Sequence, residues 1–229
     1  MVDIAENMTN LNTLSIEDVD CIRGERTLFH GLKSHISSKQ CLHVIGSNGC
    51  GKTSLLRQVS GLASFETGEI LWNNNSINNN TSYLDESAFI GHKDALKNEL
   101  SAIENLRFFQ NSDLLKGKKQ TLTKQQKEKA LDECLNQLEI LHCADLLAQQ
   151  LSFGQRRRLT FARLLLKPYK LWILDEPFTG IDVKGRHIIE NLCLQHLNSG
   201  GIIILTHHQS LQQSVFNAHL AELHLENYS

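Results

Sequence analysis

The stretch that most constrains this chain is Gly46-Ser47-Asn48-Gly49-Cys50-Gly51-Lys52-Thr53, with Ser54 behind it. Gly46 and Gly51 frame four residues ahead of Lys-Thr, which is the phosphate-loop spelling. Cys41 to Ile45, just before it, is a short, mostly apolar run that reads as a buried strand. Ser54, Leu55, Leu56 and Val59, closed by Gly61, read as a helix. Glycine lets a backbone close around phosphate oxygens where a Cβ would clash. The loop N–H groups and the helix N-terminus point at the bound anion. Lys52 supplies a point charge for β- and γ-phosphates, and the Thr53 hydroxyl suits Mg²⁺. A Gly-rich turn can match the bare pattern by accident. The strand before it and the helix after it make a nucleotide the expected ligand.

Composition sets the outer bounds. The 229 residues suffice for one domain, or one domain with a subdomain. A formal net charge of −2 gives no general attraction to nucleic acid, and none is expected as a partner. The six cysteines, Cys21, Cys41, Cys50, Cys134, Cys143 and Cys193, include no C-x-x-C pair, so no zinc site is expected. A disulfide at Cys50 would obstruct the phosphate loop, and reduced thiols in a cytosolic compartment fit better. The opening MVDIAENMTN is acidic and polar, unlike a signal peptide. No apolar run approaches the ~20 residues that span a bilayer, so attachment to a membrane would go through a partner.

Along the chain, residues 14 to 36 read as a β-rich entry and Glu69 to Trp72 as a further strand. NNNSINNN, from Asn73 to Asn80, reads as a hairpin or surface loop, because Asn tolerates left-handed geometry. Residues 100 to 150 change character. LSAIENLRFF and KEKALDECLNQLEIL show helical spacing, with Leu131, Leu135, Leu138 and Leu141 on one face. The polar stretch between them, including the basic residues at 116 to 119, reads as an exposed loop without the interleaved aromatics of a nucleic-acid site. Leu171 to Leu174 and Ile202 to Leu205 are continuous apolar runs. Such runs alternating with helices argue for a parallel sheet covered on both faces, with ligands at the carboxyl ends of its strands.

Those strand ends carry chemistry. Asp175 and Glu176 follow Leu174; the first suits Mg²⁺ and the second is placed to polarise a water for in-line attack on a γ-phosphate. Thr206, His207 and His208 follow Leu205. In LSFGQ, Ser152 reads as the N-cap of a helix, and a free helix N-terminus beside Gly154 is an anion site. Arg156 to Arg158 read as solvated or paired side chains on that helix.

GSNGCGKT, LSFGQ, WILDEP and a histidine after the last strand, in that order, resemble the ATP-binding cassette (ABC) ATPases over nearly the whole chain. The resemblance implies an α/β P-loop NTPase: a single domain over 1–229 with a mainly parallel sheet, an antiparallel β subdomain and a helical subdomain at about 86–150. It implies ATP and Mg²⁺ as cofactors, with Thr53 and Asp175 toward the metal and Gly46 to Ser54 around the phosphates. It also implies a head-to-tail homodimer in which Ser152, Gly154 and Gln155 complete the facing copy's site. Asp182, in Thr179-Gly180-Ile181-Asp182, would lie across the interface. CIRGERTLF, LSAIENLRFF, LWILDEPFTGID and GGIIILTHHQ narrow the resemblance to the haem-exporter ATP-binding subunits of bacterial cytochrome c maturation. Those imply integral-membrane transporter subunits, a haem delivery pathway, and a peripheral place on the cytoplasmic face of the inner membrane. Another small-molecule exporter is the alternative.

The sequence departs from the cassette pattern at named positions. Arg23 falls where an aromatic residue usually stacks on adenine; a guanidinium plane can stack too, and Phe29 is the alternative. His92 stands at the usual glutamine position before the helical region. Phe153 replaces a small residue. The switch histidine is expected at His208, with His207 as the other register. Glu176 and His208 are thus the candidate catalytic pair. A small-molecule kinase and a soluble cassette acting on ribosomes or DNA are the rival classes. LSFGQ argues against the first, and the lack of a second cassette or long insertion against the second.

Overall fold

A computed structural model describes residues 11–114, 123–208, 211 and 214–229. Its described residues fall into two compact units. One holds the chain up to Phe89, then Tyr169–Pro177, then Cys193 onward. The other holds Ile90–Pro168 and Phe178–Leu192.

In the first unit, β1 (Thr13–Arg23) and β2 (Arg26–Ser37) form an antiparallel pair where the sequence reads as β-rich. β3 (Cys41–Ile45) leads through the phosphate loop into α1 (Lys52–Val59). β4 (Glu69–Trp72) pairs with β1 and turns back into the short β5 (Asn75–Ser76). Asn73 and Asn74 fill that two-residue turn with φ of 51° and 63°. Two left-handed residues give the twist a tight hairpin needs, and asparagine tolerates them. The resulting sheet has the order β2-β1-β4-β5.

The second sheet of this unit carries the site. After α2 (Thr81–Glu86) comes β6 (Ser87–Ile90), so a strand opens the range 86–150 that the sequence assigns to a helical subdomain. β7 (Leu171–Leu174), β8 (Ile202–Thr206) and β9 (Leu220–His224) complete the order β6-β7-β8-β3-β9. β3 runs parallel to β8 and β9, and β7 parallel to β8. Every residue of β7 and β8 is buried, as continuous apolar runs require when both faces are covered. Each fully buried Leu or Ile there contributes about 1.5–3 kcal/mol. The parallel register brings the carboxyl ends of β3, β7 and β8 together, where the phosphate loop, Asp175 and Thr206 lie.

The second unit is helical: α3 (Ala102–Leu114), α4 (Lys124–Gln137) and α5 (Phe153–Ala162), with the opening part of α6 (Val183–Asn198). Asn105, fully buried, donates to the carbonyls of Lys97, Leu100 and Ser101 and accepts from the Lys97 N–H, pinning the entry to α3. Arg107 makes a two-pronged pair with Glu128 between α3 and α4. Leu131, Leu135 and Leu138 are buried as the spacing predicts, but Leu141 is 40% exposed. The helix stops at Gln137, and Glu139 turns to φ 53°, so the helical register no longer applies at Leu141. The basic residues at 116 to 119 lie outside the described residues. All six cysteines are free and buried, and burial pushes the Cys41 thiol up to about 12 and that of Cys134 to about 11.

Candidate active site

Four of the five residues of β3 are buried, and the chain leaves its end through Gly46. Gly51 caps α1 with φ 112°, and a Cβ there would stand 3.1 Å from the Phe29 ring. Both the backbone angle and the close ring demand glycine, which lets the loop fold tightly over the core. Lys52 is nearly buried, and its Nζ donates to the carbonyls of Gly46 (2.7 Å) and Ser47 (2.9 Å). Its charge is thus held over the loop it belongs to. The Cys50 side chain turns into the core, so its contribution to an anion site is confined to its backbone N–H.

Asp175, only 3% exposed, ties the strand ends together. Its Oδ2 accepts from the Thr53 hydroxyl (2.9 Å) and its Oδ1 from the Thr206 hydroxyl (2.8 Å). Thr206 Oγ1 in turn accepts from the Glu176 N–H (2.9 Å). One hydroxyl therefore orients both acids. Glu176 has φ 49°, a conformation that costs a non-glycine residue about 1–3 kcal/mol and persists only where its surroundings enforce it. The bond to Thr206 is part of that enforcement. The Glu176 side chain points to His208, with Nε2 2.7 Å from Oε1.

Two residues here escaped the sequence reading. The sequence places Thr206 after an apolar run with no role attached to it, and the structure makes it the last residue of β8. Its signal is a hydroxyl ending a wholly apolar strand, one register step beyond the Leu174–Leu205 pair. His43, within β3, holds Nε2 3.1 Å from the His207 carbonyl. A carbonyl only accepts, so this nitrogen carries the proton. Burial is the main cause lowering the His43 pKa, which keeps the ring neutral.

The adenine candidates separate by exposure. Phe29 is fully buried beneath Gly51, a core residue with no face open to a base. Arg23 is exposed at the end of β1, opposite Arg26.

The helical unit has its own polar edge. Ser152 caps α5: its hydroxyl accepts from the Gln155 N–H, and the Gln155 side-chain oxygen accepts from the Ser152 N–H. That capping box sets where α5 begins. Space around Gly154 is open. Phe153, 62% exposed, lays its ring against Gly180, whose φ is 71°. Asp182 accepts from the Gly185 N–H (2.8 Å) at the start of α6. The three arginines, which read as solvated or paired, all have partners. Arg156 pairs with Asp94 (2.7 Å), Arg157 is buried with a bond to the Gly91 carbonyl, and Arg158 donates to the Leu138 carbonyl. Each has carbonyl or carboxylate partners close enough to outcompete water. His92 is exposed. It lines a pocket of about 340 Å³ with Lys93, Asp94, Phe153, Arg156 and Arg157.

A phosphate loop, a strand-end acid pair and a histidine after the neighbouring strand, on a parallel sheet, define a nucleoside-triphosphate-hydrolysing cassette. The ABC transporter family model matches residues 29–179, and the chain belongs to that family. It is an ATP-hydrolysing ABC ATPase. It is 41% identical over 205 residues to the cytochrome c biogenesis ATP-binding export protein CcmA of Photobacterium profundum, covering 86% of this chain and 93% of that one. It is 38% identical over 222 residues to the CcmA of Haemophilus influenzae, covering 96% and 99%. Among solved structures, a putative ABC transporter ATP-binding protein from Pyrococcus furiosus matches with a TM-score of 0.76 at 24% identity, over 95% of this chain and 99% of that one. That last likeness speaks for the fold alone.

Proposed function

We propose that this chain is the ATP-hydrolysing subunit of a bacterial transporter that moves haem for c-type cytochrome biogenesis. It works as a homodimer beneath integral-membrane subunits, as a peripheral protein on the cytoplasmic face of the inner membrane. The cargo and pathway rest on similarity along nearly the full length to proteins named for that export step. No described helix is long and apolar enough to cross a membrane, which accords with a subunit held by partners.

The observation that carries the chemistry is the Thr53–Asp175–Thr206–Glu176 chain of hydrogen bonds. Gly46 to Ser54 surround the phosphates, and Lys52 balances charge on the β- and γ-groups. Glu176 takes a proton from the attacking water as the water oxygen bonds to the γ-phosphorus and the bond to the ADP oxygen breaks. His208 steadies the carboxylate and the γ-phosphate. Among the described residues no cluster of three or more His, Cys, Asp or Glu forms a metal cage. Thr53 Oγ1 and Asp175 Oδ2 are two hard oxygens of the kind Mg²⁺ takes together with phosphate and water. When bound, Mg²⁺ would neutralise phosphate charge there. Ser152, Gly154, Gln155 and Asp182 serve the facing copy's nucleotide, and His92 lies toward the membrane partners.

Glu176→Gln tests the composite site. It keeps the shape, removes the base, and is expected to slow hydrolysis by about 10² or more. ATP should then persist and hold two copies together, so the variant should elute as a dimer with ATP and a monomer without. Adding Ser152→Arg should abolish the dimer. Normal turnover by Glu176→Gln, or a monomer at saturating ATP, would overturn the mechanism. Recovery of the chain with integral-membrane proteins from detergent-solubilised membranes tests the transporter assignment.

A further inference from the structure

The residues after β9 reach back to the phosphate loop. Leu225 is fully buried, and its Cβ lies 3.6 Å from where a Cβ on Gly46 would stand. Glu226 Oε1 accepts from the Ser47 N–H at 3.0 Å. Tyr228 donates its hydroxyl to the Lys33 carbonyl on β2 at 3.1 Å, which anchors the far end of this 3₁₀ turn, Leu225–Tyr228. Ser47 is thus gripped on both sides. Its N–H goes to Glu226, and its carbonyl takes one of the two bonds from Lys52 Nζ.

We propose that Glu226 is a positioning residue for ATP binding, acting through Ser47 to hold the first half of the phosphate loop in its nucleotide-receiving shape. A Gly-rich loop loses more backbone freedom on ordering than any other, so a loop already held by a side chain binds with less to lose. The contact lies at the rim of the loop, and the acids and histidine that do the chemistry are untouched by it. Its effect should therefore appear in affinity and spare the chemical step. The carboxylate acts as a hydrogen-bond acceptor; as a bare negative charge near the phosphates it would oppose binding. The proposal rests on the reading that this loop takes ATP.

The test uses the full chain, with ATP affinity by calorimetry and turnover at saturating ATP. Glu226→Ala is expected to weaken ATP about three- to tenfold, the worth of one hydrogen bond to a charged or polar partner, with kcat unchanged. Glu226→Gln keeps an acceptor oxygen and should stay within about twofold of the parent. Ser47→Pro removes the N–H, and in that background Glu226→Ala should add nothing, the signature of action through one bond. Equal affinity in Glu226→Ala and the parent would overturn the proposal, as would tighter binding by Glu226→Gln, which would mark the carboxylate as a repulsive charge. If Glu226→Ala fails to fold, Glu226→Ser, too short to reach the Ser47 N–H, takes its place with the same loss of about three- to tenfold expected, and parental affinity in Glu226→Ser would sink the proposal. Absence of ATP binding by the parent chain would instead defeat the ATP reading itself.

Discussion

His208 Nε2 stands 2.7 Å from Glu176 Oε1, while the adjacent His207 offers its backbone carbonyl to His43. Consecutive residues leaving a strand point to different sides, so only one of the two rings can serve the acid at the end of β7. His208→Ala is expected to lower turnover by about 10²–10³, the usual loss when one positioned polar contact to a transition state is removed. His207→Ala should cost far less. Steady-state ATPase rates check this, and the reverse order would mean that the strand-end register is shifted by one.

Arg23 and Phe29 are separated by the same kind of measurement. Arg23→Ala is expected to weaken ATP by about 0.5–2 kcal/mol, the range for a cation stacked on a π-face. It should leave inorganic triphosphate binding unchanged, because that ligand has no base. Phe29→Ala should instead lower stability by about 3–5 kcal/mol, since it opens a cavity in the core beneath Gly51. An Arg23→Ala variant with parental ATP affinity would remove the residue from the base site.

Phe153 and Gly180 should be coupled. A Cβ on Gly180 would run into the Phe153 ring, and the φ of 71° already disfavours any side chain. Gly180→Ala should therefore be more destabilising in the parent than in a Phe153→Ala background, where only the backbone strain is left. A coupling of about 0.5–3 kcal/mol is expected from urea unfolding of the four variants. Strict additivity would show that the ring does not rest on the glycine.

His196 gives the chain an acid-side weakness. It is buried, stacked on Trp172 with ring centroids 3.9 Å apart, and its Nε2 lies 3.2 Å from the Ile202 carbonyl. Burial pulls its pKa down to about 4, against about 6.5 when unfolded. The unfolded chain therefore binds the extra proton first. Stability from this group is fully present above pH 6.5 and falls as the pH drops toward 4, by about 3 kcal/mol in all. His196→Phe keeps a ring against Trp172 and should flatten this slope in thermal melts between pH 7 and 4. An unchanged slope would assign it to other groups.

Much of the molecule was legible in the residues. The phosphate-loop spelling, the apolar strands β3, β7 and β8, the acids that end β7 and the cap at Ser152 are local: each depends on spacing within a few residues, or on the need of apolar side chains to leave water. The composite order of those motifs also pointed to the family, because chance does not repeat such a series along one chain.

Other relationships join residues far apart in the chain, and only the folded arrangement brings them together. Thr206 meets Asp175 and Glu176 because β7 and β8 lie side by side in parallel register, and no local pattern marks that hydroxyl. Phe29 is an adenine candidate by its place in the sequence, and packing puts it beneath Gly51. Arg157 stands in a run of three arginines that reads as solvated or paired, and only tertiary contacts select the buried, bonded state. Glu226 meets Ser47 across 179 residues of chain. Which residues can do chemistry follows from their functional groups and local spacing, and both are present in the unfolded chain. Which of them meet is set on folding, because strand register and burial fix the distances at which charge and hydrogen bonds act.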